Sequence, residues 1–311
     1  MKILKYDTNN KTSWDQFIDS SKNPHFFFKR NYMEYHSYKF SDFSLMIYDK
    51  KDKLIALLPA NFQEDTIYSH QGLTFGGLIV NERMTTEVML NIFDQLKLFF
   101  KENNINRMIY KCMPYIYHLK PTEEDRYALF INNASLVRRD VSSTIELTKD
   151  IRYSKGRKWS INKAKKENLN VIETENYEIF WNLLNEVLSA QHDSTPTHSL
   201  KEIQYLRDTF PDNINLFLVY KGEEMLAGAV IYENNQIVHT QYLANSLNGR
   251  EIGALDFLID YLIKDKYKDK RYFDFGISNE GEGRVLNSGL ISQKEGFGAR
   301  AVVHDYYEIK L

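Results

Sequence analysis

The stretch NGREIGALDFLIDYLI, Asn248 to Ile263, places Gly249, Arg250, Gly253 and Ala254 directly before an amphipathic run. Small residues let backbone N–H groups approach a diphosphate, and a helix N-terminus adds partial positive charge there. The stripe Ala254, Phe257, Leu258, Tyr261 and Leu262 also describes an ordinary helix packed on a sheet. Asp274 lies between two phenylalanines in YFDFG. Strand alternation puts Tyr272, Asp274 and Gly276 on one face, which would open to a cleft while Phe273 and Phe275 pack. A carboxylate with little water around it has a raised pKa and could accept an amine's proton. The alternative is a carboxylate hydrogen-bonded to a neighbouring loop.

Other candidates surround these. His192 and His198 fall in SAQHDSTPTHSL, between two expected helices, where an imidazole could take a proton or bind a hydroxyl. Equally, Thr197 or Ser199 would cap the next helix and leave His198 structural. A basic helix over Ile151–Glu167 carries Arg157 and Lys158, with Trp159 beside them, and offers one or two phosphate contacts within a mostly solvated face. His70 and Gln71 end a strand ahead of Gly72, Gly76 and Gly77, either as a substrate wall or as a tight structural turn. No close cysteine or carboxylate cluster completes a tetrahedral set, so no metal is expected.

The elements that must position these residues recur. SLMIYDKKDKLIALLPANFQEDTIYSH (Ser44–His70) and NLFLVYKGEEMLAGAVIYENNQIVHTQYLA (Asn215–Ala244) each read as three strands joined by polar turns. Each is followed by a glycine-bearing loop, a long amphipathic helix and another strand, Arg107–Lys111 or Arg271–Gly276. Helices are expected upstream of both, over Thr12–Ser21 and His25–His36, and over Tyr177–Ala190 and Leu200–Phe210. The order helices–β–β–β–helix–β therefore occurs twice, an internal duplication with its boundary near Leu136–Ser143. Antiparallel strands followed by a helix and a further strand imply α+β layers, in domains 1–140 and 141–311. Ten of the 14 glycines lie from Gly222 onward, and only the second copy leads from glycine and arginine straight into its helix.

Bulk composition narrows the classes. At 311 residues two domains are the better prior, and 43% hydrophobic residues suffice for packed cores. A net charge of −2 argues against a dedicated nucleic-acid binder, so DNA is excluded as a partner and a tRNA track is not expected. The lone Cys112 forbids an intrachain disulfide and reads as a small buried hydrophobe in a reducing compartment. With no signal-like segment and no apolar run of about 20 residues, the expected location is the cytoplasm. The 21 tyrosines and 19 phenylalanines exceed the needs of a small core, which suggests an aromatic cleft.

The meander, the Arg250-Glu251-Ile252-Gly253-Ala254 segment and the helix after it resemble the acyl-CoA site of GNAT-type N-acyltransferases. That family's loop reads Arg/Gln-x-x-Gly-x-Gly/Ala, and Leu255 stands where its last small residue belongs. Lys294-Glu295-Gly296-Phe297 is similar to the family's closing Lys-x-Gly-Phe, with Ser292 where a general-acid tyrosine is common. The tandem arrangement, with SHQGLTFGG, GRKWSINKAKK and YFDFGIS, resembles the FemAB-like branch over most of the chain. Some members of that branch move amino acids from tRNA onto cell-wall peptides; others are similar to acyl-CoA-dependent enzymes that acylate nucleotide-linked amino sugars.

The resemblance implies two tandem GNAT-like domains, each a mostly antiparallel sheet flanked by helices. The first would be degenerate and contribute His70 and Gln71 to an acceptor pocket; the second would hold acyl-CoA. Its donor strand, Gln236–Ala244, would splay from its neighbour and offer the backbone of Gln241, Tyr242, Leu243 and Ala244, next to Gly249, Arg250, Gly253, Ala254 and Lys294. Asp274 and His198 would be catalytic, and Arg157, Lys158, Trp159 and His192 would face the substrate. The acceptor implied is the amine of a nucleotide-linked (dTDP-) amino deoxysugar, attacking the thioester directly. The runner-up is aminoacyl-tRNA-dependent peptidyl transfer, whose members usually carry a long helical hairpin not found in this chain; a non-catalytic binding protein is the third reading.

Overall fold

A computed structural model describes residues 1–311 except 193, and for 191 and 192 the backbone alone. The side chain of His192 therefore lies outside the described residues. The chain divides into two compact units: Met1–Asp140 with Asn279–Val285 and Val303–Leu311, and Val141–Ser278 with Leu286–Val302. The sequence places the division at 140/141, and the structure also returns two C-terminal pieces to the first unit. Strand pairing explains the second return, because Tyr306 lies opposite Lys111 and Lys310 opposite Arg107. Asp305 reinforces it by accepting from Arg139 at 2.6 Å and Arg126 at 3.3 Å.

In the first unit a four-stranded antiparallel sheet runs in the order Lys2–Lys5, Leu45–Tyr48, Leu54–Leu58, Ile79–Val80. A second set of strands begins with Arg107–Lys111, which takes Thr66–Tyr68 parallel to it, followed by Asn61–Gln63 and Ser41–Asp42. Helix Thr86–Glu102 is capped by the Thr85 hydroxyl and buries Met89, Ile92, Phe93, Leu96 and Phe100 at three- and four-residue spacing. These pack with Leu45, Ile47, Leu58, Met108 and the buried Cys112. The helix expected over His25–His36 instead breaks into a 3₁₀ turn, Phe26–Phe28, and one α-turn, Arg30–Glu34. The His25 ring accepts the Phe27 N–H, and burial of all three phenylalanines leaves no helical face to solvent.

The second unit orders its strands Asn170–Thr174, Ile214–Lys221, Glu224–Glu233, Ile237–Asn245 and Tyr272–Ile277, closing on residues 141–146 of Ser135–Glu146. All neighbours are antiparallel except Ile237–Asn245 with Tyr272–Ile277. Helix Ala254–Tyr261, ending in a π-turn Leu262–Lys266, lays Ala254, Leu258, Ile259 and Leu262 on the sheet's Phe217, Ala229, Val238 and Phe273. The basic helix is shorter than expected, Lys155–Ala164, because the Ser154 side chain caps it by accepting from the Arg157 N–H.

Candidate active site

The second unit contains a forked pair of strands. Ile237–Asn245 runs parallel with Tyr272–Ile277 only through Ile237–Tyr272, Val238–Phe273 and His239–Asp274, and then the strands part. Across the other edge the register moves from Ile231–Thr240 to Val230–Tyr242, which leaves Gln241 as a bulge residue. A bulged residue is left out of the ladder, so the backbone here can serve something other than a neighbouring strand. A cavity of about 860 Å³ opens beside the fork. Leu243 and Asn245 from one arm and Phe275 from the other line it, with Gly253, Leu255 and Asp256 at the start of the helix Ala254–Tyr261.

The two glycines of the motif are not free-standing cradle residues. Ser246 opens a short helix, Leu247–Ile252, and its side chain accepts the Gly249 N–H. A Cβ on Gly249 would stand 2.4 Å from the Leu226 carbonyl oxygen, so glycine is required there for close packing. Gly253 adopts φ +84° to separate the two helices, its N–H bonds the Gly249 carbonyl, and a Cβ would meet Ser160 Oγ at 2.6 Å. The amides without helix partners lie just beyond Gly253. The Phe257 N–H makes the first bond back to Gly253, so the amides of Ala254, Leu255 and Asp256 precede the helix's own hydrogen bonding. Gly253 supplies no side-chain cap for them.

Around this mouth the basic residues separate into bound and available ones. Arg157 lines the cavity but donates to both Asp256 carboxylate oxygens, at 2.5 and 2.6 Å, and lies 5.2 Å from the Phe297 ring. Lys158 is exposed and is not part of the wall. Arg250 is exposed at the rim, and Trp159, 68% exposed, presents a ring there with Lys163 Nζ 5.5 Å from its centroid. Lys294 is buried in the wall, donating to the carbonyls of Gly276 (2.9 Å) and Ile277 (2.7 Å). Burial lowers its pKa to about 8 against the pull of Asp274. A lysine ammonium has three donors, so one remains for a ligand. Asn245 contributes to the wall, but its Oδ1 is buried against Gly249 without a hydrogen-bond partner among the described residues.

Two expected catalytic side chains do not open to this cavity. Of this strand it is Phe275, not Asp274, that lines the cavity, and the strand bulges beyond Asp274 where Gly276 turns at φ +77°. The Asp274 carboxylate is fully buried, accepting from Ser142 Oγ (2.5 Å) and Thr144 Oγ1 (2.7 Å) on one oxygen and from His239 Nδ1 (2.8 Å) on the other. Its hydrogen bonds already fill the role that a proton acceptor would need open. His198 is likewise buried, its Nδ1 2.6 Å from Tyr242 Oη and its carbonyl accepting the Trp181 indole N–H. Ser199, not Thr197, caps the next helix through a capping box with Glu202. Tyr242 thus points its phenol at His198, Ala244 is buried, and only Leu243 of that group reaches the cavity by its side chain. His239 was not among the sequence candidates. The sequence gives it no distinct signal, because its partner Asp274 is brought opposite it only by the strand pairing.

Of the first-unit candidates His70 is enclosed and Gln71 is half-buried. His70 is buried at φ +68°, and burial followed by the nearby His36 lowers its pKa to about 3, so the imidazole is neutral. The Gln71 side chain accepts from Asn61 at 2.6 Å and donates to Gln63 at 3.2 Å. Both residues are tied into the turn that follows Thr66–Tyr68. Among the described residues no group of three or more His, Cys, Asp or Glu could hold a metal ion, and no helix is long and apolar enough to cross a membrane.

No family model and no curated protein matches this sequence. Solved structures do match its fold. FemX aligns with a TM-score of 0.70 at 11% identity, over 100% of this chain and 98% of its own. The fold is that of FemX. L-PGS from Bacillus licheniformis aligns at 0.61 and 12% identity, over 98% and 92% of the two chains. A tandem GNAT protein from the clavulanic acid biosynthesis pathway aligns at 0.50 and 8%, over 99% and 98%. The α+β tandem GNAT-like architecture is therefore shared across the whole chain, while identities this low leave the chemistry to the site.

Proposed function

We propose that the chain is an N-acyltransferase that takes its acyl group from acyl-CoA held in the second unit's cavity. The observation that carries the reading is the open fork, with apolar walls and a helix N-terminus facing the same space. Its residues fit such a donor. The amides of Ala254, Leu255 and Asp256, with the Arg250 side chain, suit a pyrophosphate. Backbone freed at the Gln241 bulge and the third donor of Lys294 suit a carbonyl on which negative charge develops. Acyl-CoA would supply the thioester; the protein's part is to hold it, exclude water and take the acceptor's proton.

The acceptor is an amine, and the sequence's resemblance to sugar N-acyltransferases favours a nucleotide-linked (dTDP-) amino deoxysugar. A second reading, transfer of an aminoacyl group from tRNA, is favoured by the end-to-end fit to FemX, since the FemAB-like branch includes such enzymes. The net charge of −2 weighs against it. Isothermal titration with coenzyme A should show binding that Arg250→Ala weakens by about threefold to tenfold. No heat from coenzyme A or any acyl-CoA refutes the donor assignment. A thiol-release screen of acyl-CoAs against amino-sugar nucleotides then identifies the acceptor. Transfer from aminoacyl-tRNA without any response to acyl-CoA decides for the second reading.

A further inference from the structure

His239 and Asp274 form the last cross-strand pair before the fork opens. The Asp274 carboxylate is fixed on both oxygens, by the Ser142 and Thr144 hydroxyls and by His239 Nδ1. Two hydroxyl donors keep the carboxylate an acceptor, so the nitrogen facing it carries the proton. In the neutral imidazole that arrangement leaves the Nε2 lone pair free. No described residue bonds Nε2, and the side chain is 17% exposed, so this edge meets solvent. Gly276 makes room for the ring: it turns at φ +77°, and a Cβ there would stand 2.9 Å from His239 Cε1. A buried carboxylate orienting an imidazole whose far nitrogen reaches solvent is more than a sheet needs to hold together.

Position supplies the second argument. Phe275 faces the cavity, whereas Asp274 and its histidine lie on the opposite face of the same strand. The strands stop pairing beyond this pair. We propose that His239 is the proton acceptor for the attacking amine, approaching from the face opposite the donor cavity, with Asp274 as its positioning residue. The inference rests on the acyl-transfer reading above. The amine nitrogen forms the N–C bond with its lone pair as the C–S pair leaves on sulfur. The ammonium proton passes to His239 Nε2, and the thiolate is protonated from solvent. The groups that bear on the pair are Asp274 from the adjoining strand, the buried Tyr232 opposite His239, and the Lys294 ammonium, which feels Asp274 from the helix Ser288–Glu295.

The test compares wild type, His239→Gln and Asp274→Asn in acyl transfer from pH 5 to 9, with coenzyme A affinity measured on each. The expected result is a fall in kcat of about 10²–10³ for His239→Gln and about tenfold for Asp274→Asn, with donor affinity unchanged. The histidine-dependent rise of the pH profile should vanish in His239→Gln. Wild-type kcat and profile in that variant overturn the proposal. Wild type lacking transfer with every donor and amine would defeat the acyl-transfer reading itself. The histidine is then read without turnover, by ¹⁵N NMR of labelled imidazoles at neutral pH. An unprotonated Nε2 that becomes protonated in Asp274→Asn supports the oriented pair; a protonated Nε2 in wild type overturns it.

Discussion

The two units contain the same fork, and they treat it oppositely. In the first, Thr66–Tyr68 pairs in parallel with Arg107–Ile109 for three residues, as Ile237–His239 does with Tyr272–Asp274 in the second. Beyond Tyr68, however, the protein fills its own gap. The Ser69 N–H bonds the Ile109 carbonyl, and the Lys111 N–H bonds the Ser69 hydroxyl at 2.7 Å. Lys111 Nζ gathers the carbonyls of His70, Gln71 and Leu73 at 3.1, 3.2 and 2.6 Å. Both units thus place a buried lysine on backbone carbonyls near the fork, but Lys111 uses all three of its donors and Lys294 two. Burial lowers the first to about 7 and the second to about 8. Buried polar groups must be satisfied somewhere. The first fork is satisfied from within; the second leaves the amides of Ala254, Leu255 and Asp256 without helix partners at the wall of a cavity.

The comparison can be broken at three points. Gly76→Ala should have the largest effect, because a Cβ there would stand 1.9 Å from the Ser69 carbonyl oxygen and force the filled fork apart. A loss of about 3 kcal/mol in urea unfolding is expected; wild-type stability would mean that the first fork is loosely packed. Lys111→Met should cost about 2 kcal/mol by stranding three carbonyls, with coenzyme A affinity unchanged. Lys294→Met should cost less stability while lowering transfer by tenfold or more; equal effects of the two would erase the distinction drawn between the forks.

A pH slope tests the first fork in a different way. Unfolded His70 binds its proton near pH 6.5, and the folded residue only near 3. Between these values the unfolded chain holds one more proton, so stability falls as pH falls. In His70→Asn, which keeps a side chain tolerant of the left-handed backbone, that slope should be shallower by up to about 1.4 kcal/mol per pH unit. An unchanged slope would show that His70 is protonated in the fold.

The duplication was legible because it is carried by periodicity: three strands, a helix and a strand can be read from alternation and three- and four-residue spacing. The division of labour within a face was not. Alternation sets Asp274 and Phe275 on opposite faces, but it cannot say which face meets the cavity, since that depends on where helices Ala254–Tyr261 and Ser288–Glu295 pack. The packing of the glycines was illegible for the same reason. Gly249 and Gly253 are required by Leu226 and Ser160, residues distant in sequence, and a motif does not show its packing partners. His239 acquires its meaning from a cross-strand register that only tertiary pairing sets.

The division of the chain has one more consequence, for the order in which the protein can be made. The backbone leaves the first unit after Asp140, returns for Asn279–Val285, leaves again, and comes home with Val303–Leu311. During synthesis the amino-terminal repeat emerges first but lacks the strand that pairs with Arg107–Lys111 until the second repeat has left the ribosome. The half of the duplication that came out earliest is thus the one that must wait longest for its last strand, and a cut after Asp140 would release a fragment that no longer contains it.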